Sequence, residues 1–422
     1  MPTNLADWLI HLESLHPKTI ALGLECVAQV KLRLNLNPDF PIIVVGGTNG
    51  KGSVCAMLES ILHAAGYRVG CYTSPHLLHY NERVRVARQQ ASDAELCASF
   101  AQIEQARGDV SLTYFEFGTL AAIHCFIAHK VEVAILEVGL GGRLDAVNIF
   151  DNDCAVVTSV DIDHTDYLGD TREQIAFEKA GIFRNGHVAI CADSDVPQAI
   201  RAQAQQVGAE LWRLGSEFSF AVHQGQWDYR GKLGRRSALP YPALRGAFQL
   251  HNASAALAAL DALKERLPVS MQAVRRGLNG VELAGRFQLV PGKPALILDV
   301  AHNPHAARAL AQNLASLPLC PHTYAVFAML KDKDIAGVVA ALDAHIDTWL
   351  VAGIDTARGA SAGELEQVLQ QARVCGEIKV YGNIAEALRY AYKAAGENDR
   401  ITAFGSFYTV AEVMQARGLR VT

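Results

Sequence analysis

Short apolar runs alternate with longer amphipathic stretches along most of this 422-residue chain. A run of about four to eight apolar residues is typical of a buried strand, and a spacing of about 3.6 residues between apolar positions is typical of a helix. Such alternation indicates an α/β fold with a mainly parallel, doubly wound sheet. The first helix is predicted from Leu5, Trp8, Leu9, Leu12 and Leu15; strands are predicted at residues 41–45, 67–72, 131–138, 154–159 and 188–191, and further helices at 53–65, 94–105, 117–129 and 173–182.

The pattern changes at residues 217–242, where polar and apolar residues alternate around Gly225 and Gly231. That alternation is typical of antiparallel hairpins. We therefore predict a phosphate-loop, doubly wound N-terminal domain at residues 1–287 with a small antiparallel subregion, and a Rossmann-like C-terminal domain at residues 288–422. The remaining elements are a helix at 252–263 and strands at 295–300, 324–329, 349–351, 378–381 and 401–404.

The composition describes a compact globular protein, since 50% of the residues are hydrophobic and 19% are charged. The formal net charge of −5 implies no basic face, which argues against a nucleic-acid partner. The nine cysteines contain no Cys-x-x-Cys pair, and the absence of such a pair favours reduced thiols over a disulfide framework or a zinc site. The N-terminus does not resemble a signal peptide and no apolar run is long enough for a membrane span, so we expect a cytoplasmic protein.

The strongest chemical signal is the segment Gly46-Gly47-Thr48-Asn49-Gly50-Lys51-Gly52-Ser53, between a predicted strand and a predicted helix. Glycines let backbone N–H groups approach phosphate oxygens, and the helix N-terminus and the lysine add positive charge. The segment is a variant of the common phosphate loop, because Val45 replaces the first glycine and Gly52 separates Lys51 from Ser53. It predicts ATP binding; the alternative is a glycine-rich turn that binds no ligand.

Two other nucleotide-binding classes are disfavoured. The chain has no Asn-Lys-x-Asp guanine box, which argues against a GTPase. The glycine-rich residues 139–144 lack the last glycine of the dinucleotide fingerprint and lie far from the first strand.

Several polar residues follow predicted strands, where α/β sheets place their ligand-binding groups. Glu137 ends an apolar strand, and its position favours a functional carboxylate. Ser74 either contacts a metal or caps a turn. The group that follows the strand at 154–159 either faces the same crevice or forms a solvated acidic loop, and it comprises Asp161, Asp163, His164 and Asp166.

Charged residues elsewhere are more ambiguous. Taken alone, Lys179 at a helix end is best interpreted as a surface charge. Asp299 is placed to meet a ribose hydroxyl or a phosphate-linked group, whereas Asn303 is the helix N-cap if that segment is only structural. Arg286 faces either solvent or a cleft between domains. The neighbouring pair Arg83 and Arg85 either meets an anionic substrate or forms an exposed basic edge.

Seven ordered motifs together resemble one family along nearly the whole chain. They are Gly47-Thr48-Asn49-Gly50-Lys51-Gly52-Ser53, Thr73-Ser74-Pro75-His76, the segment from Leu136 to Ala146, Asp163-His164, Glu178-Lys179-Ala180-Gly181-Ile182, Gly285-Arg286-Phe287 and Asp299-Val300-Ala301-His302-Asn303-Pro304-His305. This combination is similar to the folylpolyglutamate synthases, in particular the bacterial bifunctional form that is also a dihydrofolate synthase. The wider group is the Mur ligase superfamily.

The resemblance implies an ATP-dependent carboxylate–amine ligase. Such an enzyme activates a carboxylate as an acyl phosphate, and the amine of L-glutamate then displaces phosphate to give an amide. The acceptor carboxylate belongs to dihydropteroate in one reaction and to the glutamyl tail of tetrahydrofolate in the other. The family uses two Mg²⁺ ions and ATP as a substrate, and it suggests a monomer.

The resemblance also implies roles for individual residues. The phosphates of ATP are expected at Thr48, Asn49, Gly50, Lys51, Gly52 and Ser53, and other parts of ATP at Asn252, Arg286 and Asp299. Metal ligands are expected at Ser74, Glu137, His164 and a carbamylated Lys179, with Lys51, Lys179 and His164 as catalytic residues. The pterin is expected at Ala21, Leu22, Gly23, Leu24, Thr113, Tyr114, Phe115, Glu116, Leu144, Asp145 and Ala146. Ala21 departs from the bifunctional pattern, which has an acidic residue there, so the contact that the acidic side chain would make to the pterin ring is not expected at that position.

Two alternatives remain open. A Mur-type peptidoglycan precursor ligase uses the same chemistry but usually has an additional N-terminal domain, and only about 40 residues precede the predicted loop strand here. A phosphate-loop ATPase without ligation would hydrolyse ATP without either acceptor. The acidic and histidine residues after three strands exceed what such an ATPase needs.

Overall fold

The computed structural model describes residues 2–16 and 23–421. The chain forms two compact units, of which the first comprises Met1–Ala243 and Leu250–Val281. The second comprises Leu244–Gln249 and Glu282–Thr422. The division into functional domains at residue 287 stays a prediction.

The first unit is built on a sheet whose described part has eight strands. In chain order these are β1 (Ile42–Gly46), β2 (Val69–Tyr72), β3 (Val84–Val86), β4 (Gln89–Gln90), β5 (Val133–Glu137), β6 (Cys154–Val157), β7 (Val188–Cys191) and β8 (Glu210–Arg213). Their order across the sheet is β4-β3-β2-β5-β1-β6-β7-β8. β3 pairs antiparallel with both β2 and β4 at one edge, and the other neighbours pair parallel. The central strands are fully buried because helices cover both faces, as in other doubly wound folds.

The helices of this unit begin at local capping signals. Ser92, Thr113 and Thr171 each accept a hydrogen bond from the third helical N–H, and a Glu or Gln returns the contact. The helices are α1 (Leu5–Ser14), α2 (Glu25–Arg33), α3 (Lys51–Ala64), α4 (Asp93–Arg107), α5 (Tyr114–Ala128), α6 (Thr165–Leu168), α7 (Arg172–Ala180), α8 (Gln198–Val207), α9 (Gln249–Ala262) and α10 (Met271–Asn279), with 3₁₀ turns at Tyr80–Arg83 and Ala146–Ile149.

The predicted hairpin region forms a small antiparallel sheet. It consists of β9 (Ser219–His223), β10 (Gln226–Gly231) and β11 (Gly234–Leu239). The Tyr229 hydroxyl donates to Asp261 on α9 over 3.1 Å, and Arg236 forms a 2.6 Å ion pair with the same carboxylate. These contacts attach the hairpins to α9.

The second unit contains a mixed sheet in the order β12-β13-β17-β14-β15-β16. β12 pairs antiparallel with β13, and the other pairs are parallel. The strands are β12 (Gln288–Val290), β13 (Ala295–Leu298), β14 (Thr323–Phe327), β15 (Thr348–Ala352), β16 (Glu377–Tyr381) and β17 (Arg400–Phe404). The helices are α11 (Pro304–Ala315), α12 (Ile335–Leu342), α13 (Ala362–Ala372), α14 (Ile384–Ala394) and α15 (Phe407–Ala416), with a 3₁₀ turn at Asp343–His345. The predicted α/β class is confirmed.

The segment Leu244–Gln249 belongs to this second unit although residues of the first unit flank it on both sides. The Ala247 N–H donates to the side chain of Asn313 on α11 over 2.8 Å. The Phe248 and His305 rings lie 5.5 Å apart. Two kinds of contact therefore hold the segment to α11.

The strand order brings three carboxyl ends together in the first unit. β1 lies between β5 and β6, with Val45 opposite Glu137 and Gly46 opposite Val157. Residues that follow these strands therefore share one edge of the sheet. Among the described helices, none combines the length and the apolar character that crossing a membrane requires.

Candidate active site

The predicted phosphate loop connects β1 to α3 and adopts a backbone shape that depends on glycine. Gly47 has φ +141° and Gly50 has φ +89°. A Cβ atom at Gly47 would collide with the Thr158 hydroxyl, and one at Gly50 would lie 2.6 Å from the Asn252 side-chain oxygen. The loop therefore passes too close to its neighbours to accommodate larger residues at these two positions.

The end of β6 holds the loop in place. The Thr48 N–H donates to the Ser159 carbonyl over 2.7 Å, and the Asn49 N–H donates to the Ser159 hydroxyl over 3.1 Å. The Thr158 hydroxyl donates to the Asn49 carbonyl over 2.6 Å. The following residues 50–53 enter the first turn of α3, where helical N–H groups lack an intrahelical acceptor. A fixed loop with such donors suits a phosphate group.

Lys51 curls back over the loop that precedes it. Its ammonium donates to the carbonyls of Gly47 at 3.0 Å and Thr48 at 3.2 Å. A cation on a flexible side chain therefore lies beside the residues expected to bind phosphate.

Two predicted metal ligands meet at the ends of neighbouring strands. The Glu137 side chain ends β5 and is 4% exposed, and it accepts the Ser74 backbone N–H over 3.1 Å. Ser74 follows β2, which pairs with β5. The geometry brings a carboxylate and a hydroxyl-bearing residue together, and both offer the oxygen donors that Mg²⁺ prefers.

His164 lies in the loop after β6 with a left-handed backbone, φ +53°. The Nε2 atom of its ring is 4.0 Å from Asp163 Oδ1, and the backbone N–H of His164 donates to the same oxygen over 2.9 Å. The loop begins at Val160, whose N–H donates to Asp193 over 2.7 Å and whose carbonyl accepts Arg172 Nε over 2.7 Å. Arg172 and Asp193 also bond each other over 2.8 Å, so both polar groups of the Val160 backbone are fixed.

Lys179 differs most from its interpretation as a surface charge. It occupies the last turn of α7 and is 4% exposed. Burial and, to a smaller extent, the positive charge of Lys51 lower its pKa from 10.5 to about 7, although Asp163 and Asp145 oppose the shift. The surface interpretation is therefore wrong, and these four groups share one electrostatic environment.

Asp145 is buried as well, and its carboxylate accepts three backbone N–H groups. Gly139 and Leu140 donate to it over 2.9 Å each, and Val147 over 3.1 Å. Burial raises its pKa to about 7 against the effect of these hydrogen bonds and of Lys51. The carboxylate therefore holds the turn after β5 in shape.

The structure brings two of the three predicted pterin segments together. Thr113 and Glu116 form the capping box of α5, so the side chains of these two residues are engaged in hydrogen bonds between them. Tyr114 and Phe115 are half-buried, and the Phe115 ring lies 2.7 Å from where a Gly139 Cβ would stand. Leu144 is half-buried and Ala146 is buried, at the end of the same turn.

The third segment precedes α2. Gly23 has φ +155° and Leu24 packs against the core of the first unit. Ala21 and Leu22 lie outside the described residues.

The predicted ATP contacts occur in both units. Asn252 on α9 is buried beside the phosphate loop. In the second unit, Asp299 follows β13 and accepts the N–H groups of Phe287 and Ala301 over 2.8 Å each. Burial raises the Asp299 pKa to about 6, and the Arg286 charge opposes this shift. The Arg286 guanidinium stacks over the Phe407 ring at 5.1 Å. Asp299 and Arg286 therefore form one polar cluster, next to the α11 cap formed by Asn303.

Sequence reasoning missed the residues that support these groups. Glu82 accepts the N–H groups of Leu77, Leu78 and His79 over 2.7–2.8 Å and so fixes the loop after Ser74. The Arg172–Asp193 pair was missed too, because its partners lie on different elements. The only sequence signal is that Arg172 follows the helix-cap residue Thr171.

Comparison with known proteins decides the family. Residues 45–260 match the Mur ligase middle domain, and residues 285–407 match the Mur ligase glutamate ligase domain. The dihydrofolate synthase/folylpolyglutamate synthase of Escherichia coli K12 is 48% identical over 412 residues, which cover 97% of this chain and 95% of that protein. The chain belongs to the dihydrofolate synthase/folylpolyglutamate synthase family of Mur ligases. The predicted family and the predicted class of ATP-dependent carboxylate–amine ligase are confirmed.

Solved structures of this family have the same fold. E. coli FolC in complex with DHPP and ADP superposes with a TM-score of 0.94 at 47% identity, covering 99% of both chains. A bifunctional folylpolyglutamate synthase/dihydrofolate synthase with Mn, AMPPNP and L-glutamate bound gives a TM-score of 0.92 at 48% identity, covering 99% of this chain and 98% of that one. The nucleotides and the metal in these family structures agree with the predicted need for ATP and a divalent cation.

Proposed function

We propose that this chain adds L-glutamate to dihydropteroate, and to the γ-carboxylate of tetrahydrofolate, at the expense of ATP. The observation that carries the proposal is the convergence of a fixed phosphate loop, the Glu137–Ser74 contact and the buried Lys179 at one edge of the first sheet. A substrate carboxylate oxygen attacks the γ-phosphorus of ATP, the bond to the β-phosphate oxygen breaks, and ADP leaves. The glutamate amine then attacks the acyl carbon, phosphate leaves, and the amine loses a proton.

The phosphate loop would bind the triphosphate through residues Thr48 to Ser53. Because Thr48 and Asn49 are already fixed by the end of β6, the N–H groups of the following residues 50–53 need little reorganisation when ATP binds. Lys51 would exchange its two loop carbonyls for phosphate oxygens. Charge stabilisation by such groups is the main contribution that a protein makes to phosphoryl transfer.

The donor groups fit Mg²⁺. Ser74 and Glu137 offer oxygen ligands and His164 offers a ring nitrogen, and Mg²⁺ usually keeps several waters besides a few protein ligands. Among the described residues, no group of three or more His, Cys, Asp or Glu side chains is arranged to hold a metal. Two bound Mg²⁺ ions would neutralise charge on the phosphates.

The environment of Lys179 supports its carbamylation. A neutral lysine amine reacts with CO₂, loses a proton and becomes a carbamate, which is an anionic oxygen ligand. A pKa of about 7 gives Lys179 a substantial neutral fraction at neutral pH, whereas an ordinary lysine has almost none. The carbamate would lie beside the Lys51 cation.

The remaining substrate contacts follow from the same arrangement. Tyr114 and Phe115 present aromatic side chains for a pterin ring next to the turn that Asp145 holds. Asn252, Arg286 and Asp299 would contact ATP. We further infer that the chain acts in the cytoplasm, which its free cysteines favour, and that it is a monomer, which the family resemblance favours.

The deciding experiment measures incorporation of labelled glutamate by the purified protein with ATP and Mg²⁺. We expect product with dihydropteroate and with tetrahydrofolate, and ADP release that requires both glutamate and an acceptor. Mass spectrometry of the products gives the chain length. Incorporation with tetrahydrofolate alone would contradict the proposed dihydrofolate synthase activity. ATP hydrolysis that needs no acceptor would contradict ligation altogether.

A further inference from the structure

Arg83 and Arg85 are neighbours in sequence but differ in their contacts. Arg85 donates to both Glu59 oxygens at 2.8–3.1 Å, to the Thr73 hydroxyl at 3.2 Å and to the Glu82 carbonyl at 2.8 Å. The Glu59 side chain is buried, so this pair holds β3 against α3. The interpretation of both arginines as one exposed basic edge is therefore wrong.

Arg83 has one hydrogen bond and two aromatic contacts. Its Nε–H donates to His76 Nδ1 over 2.9 Å. Its guanidinium carbon lies 5.4 Å from the centre of the Tyr80 ring and 5.3 Å from that of Tyr114. Three neighbours thus orient the guanidinium plane.

The two terminal nitrogens of Arg83 remain unused. Within the described residues, neither Nη atom has a hydrogen-bond partner, and no carboxylate lies within the 4.0 Å of an ion pair. The residue is only half-buried, so a ligand has access to it. A guanidinium that is fixed at Nε and free at its Nη atoms matches the two oxygens of a carboxylate.

The position of Arg83 connects two parts of the site. His76 lies two residues after Ser74, a proposed metal ligand, and Tyr114 belongs to a proposed pterin segment. The Tyr72 side chain interacts electrostatically with Arg83, and its ring centre is 5.7 Å from that of Phe115. The free nitrogens therefore lie in an aromatic environment between the proposed phosphoryl-transfer residues and the proposed pterin residues.

We propose that Arg83 binds a carboxylate of the pteroate or folate substrate. The proposal rests on the folate ligase function proposed above. Two carboxylates have this chemistry, namely the acid that is phosphorylated, which both acceptors carry, and the α-carboxylate of the glutamyl tail, which only the folate carries. An Arg83 variant should therefore affect the KM of both acceptors if Arg83 binds the first carboxylate, and the KM of tetrahydrofolate alone if it binds the second.

The test compares wild type with Arg83→Gln, which keeps a polar side chain and removes the charge. A charge-assisted contact to a carboxylate predicts an increase of about 10-fold to 100-fold in the KM of the acceptor. We expect the KM values of the variant for ATP and for glutamate to stay within about twofold of the wild-type values. Arg83→Lys, which keeps the charge without the planar fork, should give an intermediate value. Arg107→Gln removes another half-buried arginine of the first unit, bonded to Glu104, and should leave acceptor KM unchanged.

The two acceptors distinguish the two carboxylates. An increase with both dihydropteroate and tetrahydrofolate assigns Arg83 to the reacting acid, and an increase with tetrahydrofolate alone assigns it to the α-carboxylate. In the second case, a pteroyl acceptor whose tail lacks the α-carboxylate should bind wild type and Arg83→Gln equally. An unchanged acceptor KM overturns the proposal. So does an increase in the KM values for ATP and glutamate that equals the increase in the acceptor KM. Wild-type turnover with both acceptors tests the proposed function separately, and the melting temperature of each variant identifies misfolding.

Discussion

At the scale of single residues, Lys179 shows how the fold changes the chemistry of a side chain. A lysine in the last turn of a helix is usually exposed, and its positive charge interacts favourably with the negative end of the helix dipole. Here α7 places the amine in the interior, next to the Lys51 cation, and its pKa falls to about 7. A buried amine with so low a pKa has a substantial neutral fraction near neutral pH, and the neutral form is the nucleophile.

We predict that activity depends on dissolved CO₂ through Lys179. In CO₂-depleted buffer the rate should fall, and bicarbonate should restore it. Because only the neutral amine reacts, the reactive fraction should fall about tenfold for each pH unit below the pKa of about 7, so restoration should weaken as the pH is lowered. The measurement is the initial rate at fixed dissolved CO₂ across this range.

Two variants provide the controls. Lys179→Met should be inactive with or without bicarbonate, and Lys264→Gln, which alters an exposed lysine, should behave as wild type. A wild-type rate that is independent of CO₂ would contradict carbamylation.

We predict that Gly47→Ala weakens ATP binding. The new methyl group meets the Thr158 hydroxyl and the backbone has φ +141°, so the loop must move. The expected result is a KM for ATP at least about tenfold higher, with a loss of stability of about 1–3 kcal/mol. Gly66→Ala is the matched control, because Gly66 has φ +100° but open space around it. An unchanged KM for ATP in Gly47→Ala would show that the loop tolerates displacement.

At the scale of elements, α7 links two proposed metal ligands. Its first residue, Arg172, fixes the base of the loop that carries His164, and its last turn carries Lys179. The helix therefore sets the position of both side chains relative to the end of β6. A change at either end of the helix should affect the proposed metal site before it affects the rest of the fold.

We predict that Arg172→Ala weakens metal activation. Loss of the contacts to Val160 and Asp193 should raise the Mg²⁺ concentration needed for half-maximal rate about tenfold and lower kcat, with the KM for folate unchanged. Arg213→Ala, which removes a similar multidentate contact to Glu217, should lower stability without changing the Mg²⁺ dependence. Equal Mg²⁺ dependence in the two variants would assign Arg172 a purely structural role.

The sequence predicted most elements because their apolar runs are local signals. The runs at β1, β5 and β6 gave strands within one or two residues of those observed. α2 was missed because its described buried side chains are only Val27 and Val30, too few for a clear period. The Arg85–Glu59 pair joins residues 26 positions apart and the burial of Lys179 depends on other elements, so local patterns contain no sign of either.

At the scale of the whole molecule, the chain passes from one compact unit to the other three times. It enters the second unit at Leu244, returns to the first at Leu250 and enters the second again at Glu282. The segment Leu244–Gln249 relies on α11 for its contacts, in particular on the Asn313 side chain. Asn313 is 8% exposed, so its hydrogen bond is shielded from water.

We predict that Asn313→Ala releases this segment. The loss of a buried hydrogen bond should lower the free energy of unfolding by about 1–2 kcal/mol and should speed the exchange of the Ala247 amide hydrogen. Asn313→Asp keeps an acceptor oxygen, so the Ala247 amide should remain protected even if the buried charge costs stability. Equal exchange rates in wild type and Asn313→Ala would show that other contacts hold the segment.

The order of synthesis gives Leu244–Gln249 a further consequence. A ribosome releases these residues before it has made α11, so during translation they emerge before their partners exist. The first unit in turn needs α9 and α10, which follow the segment in the chain. A nascent chain that stops near residue 281 therefore carries a completed first unit with six residues still without their partners. The second unit becomes complete only when this early segment meets α11, which is made later.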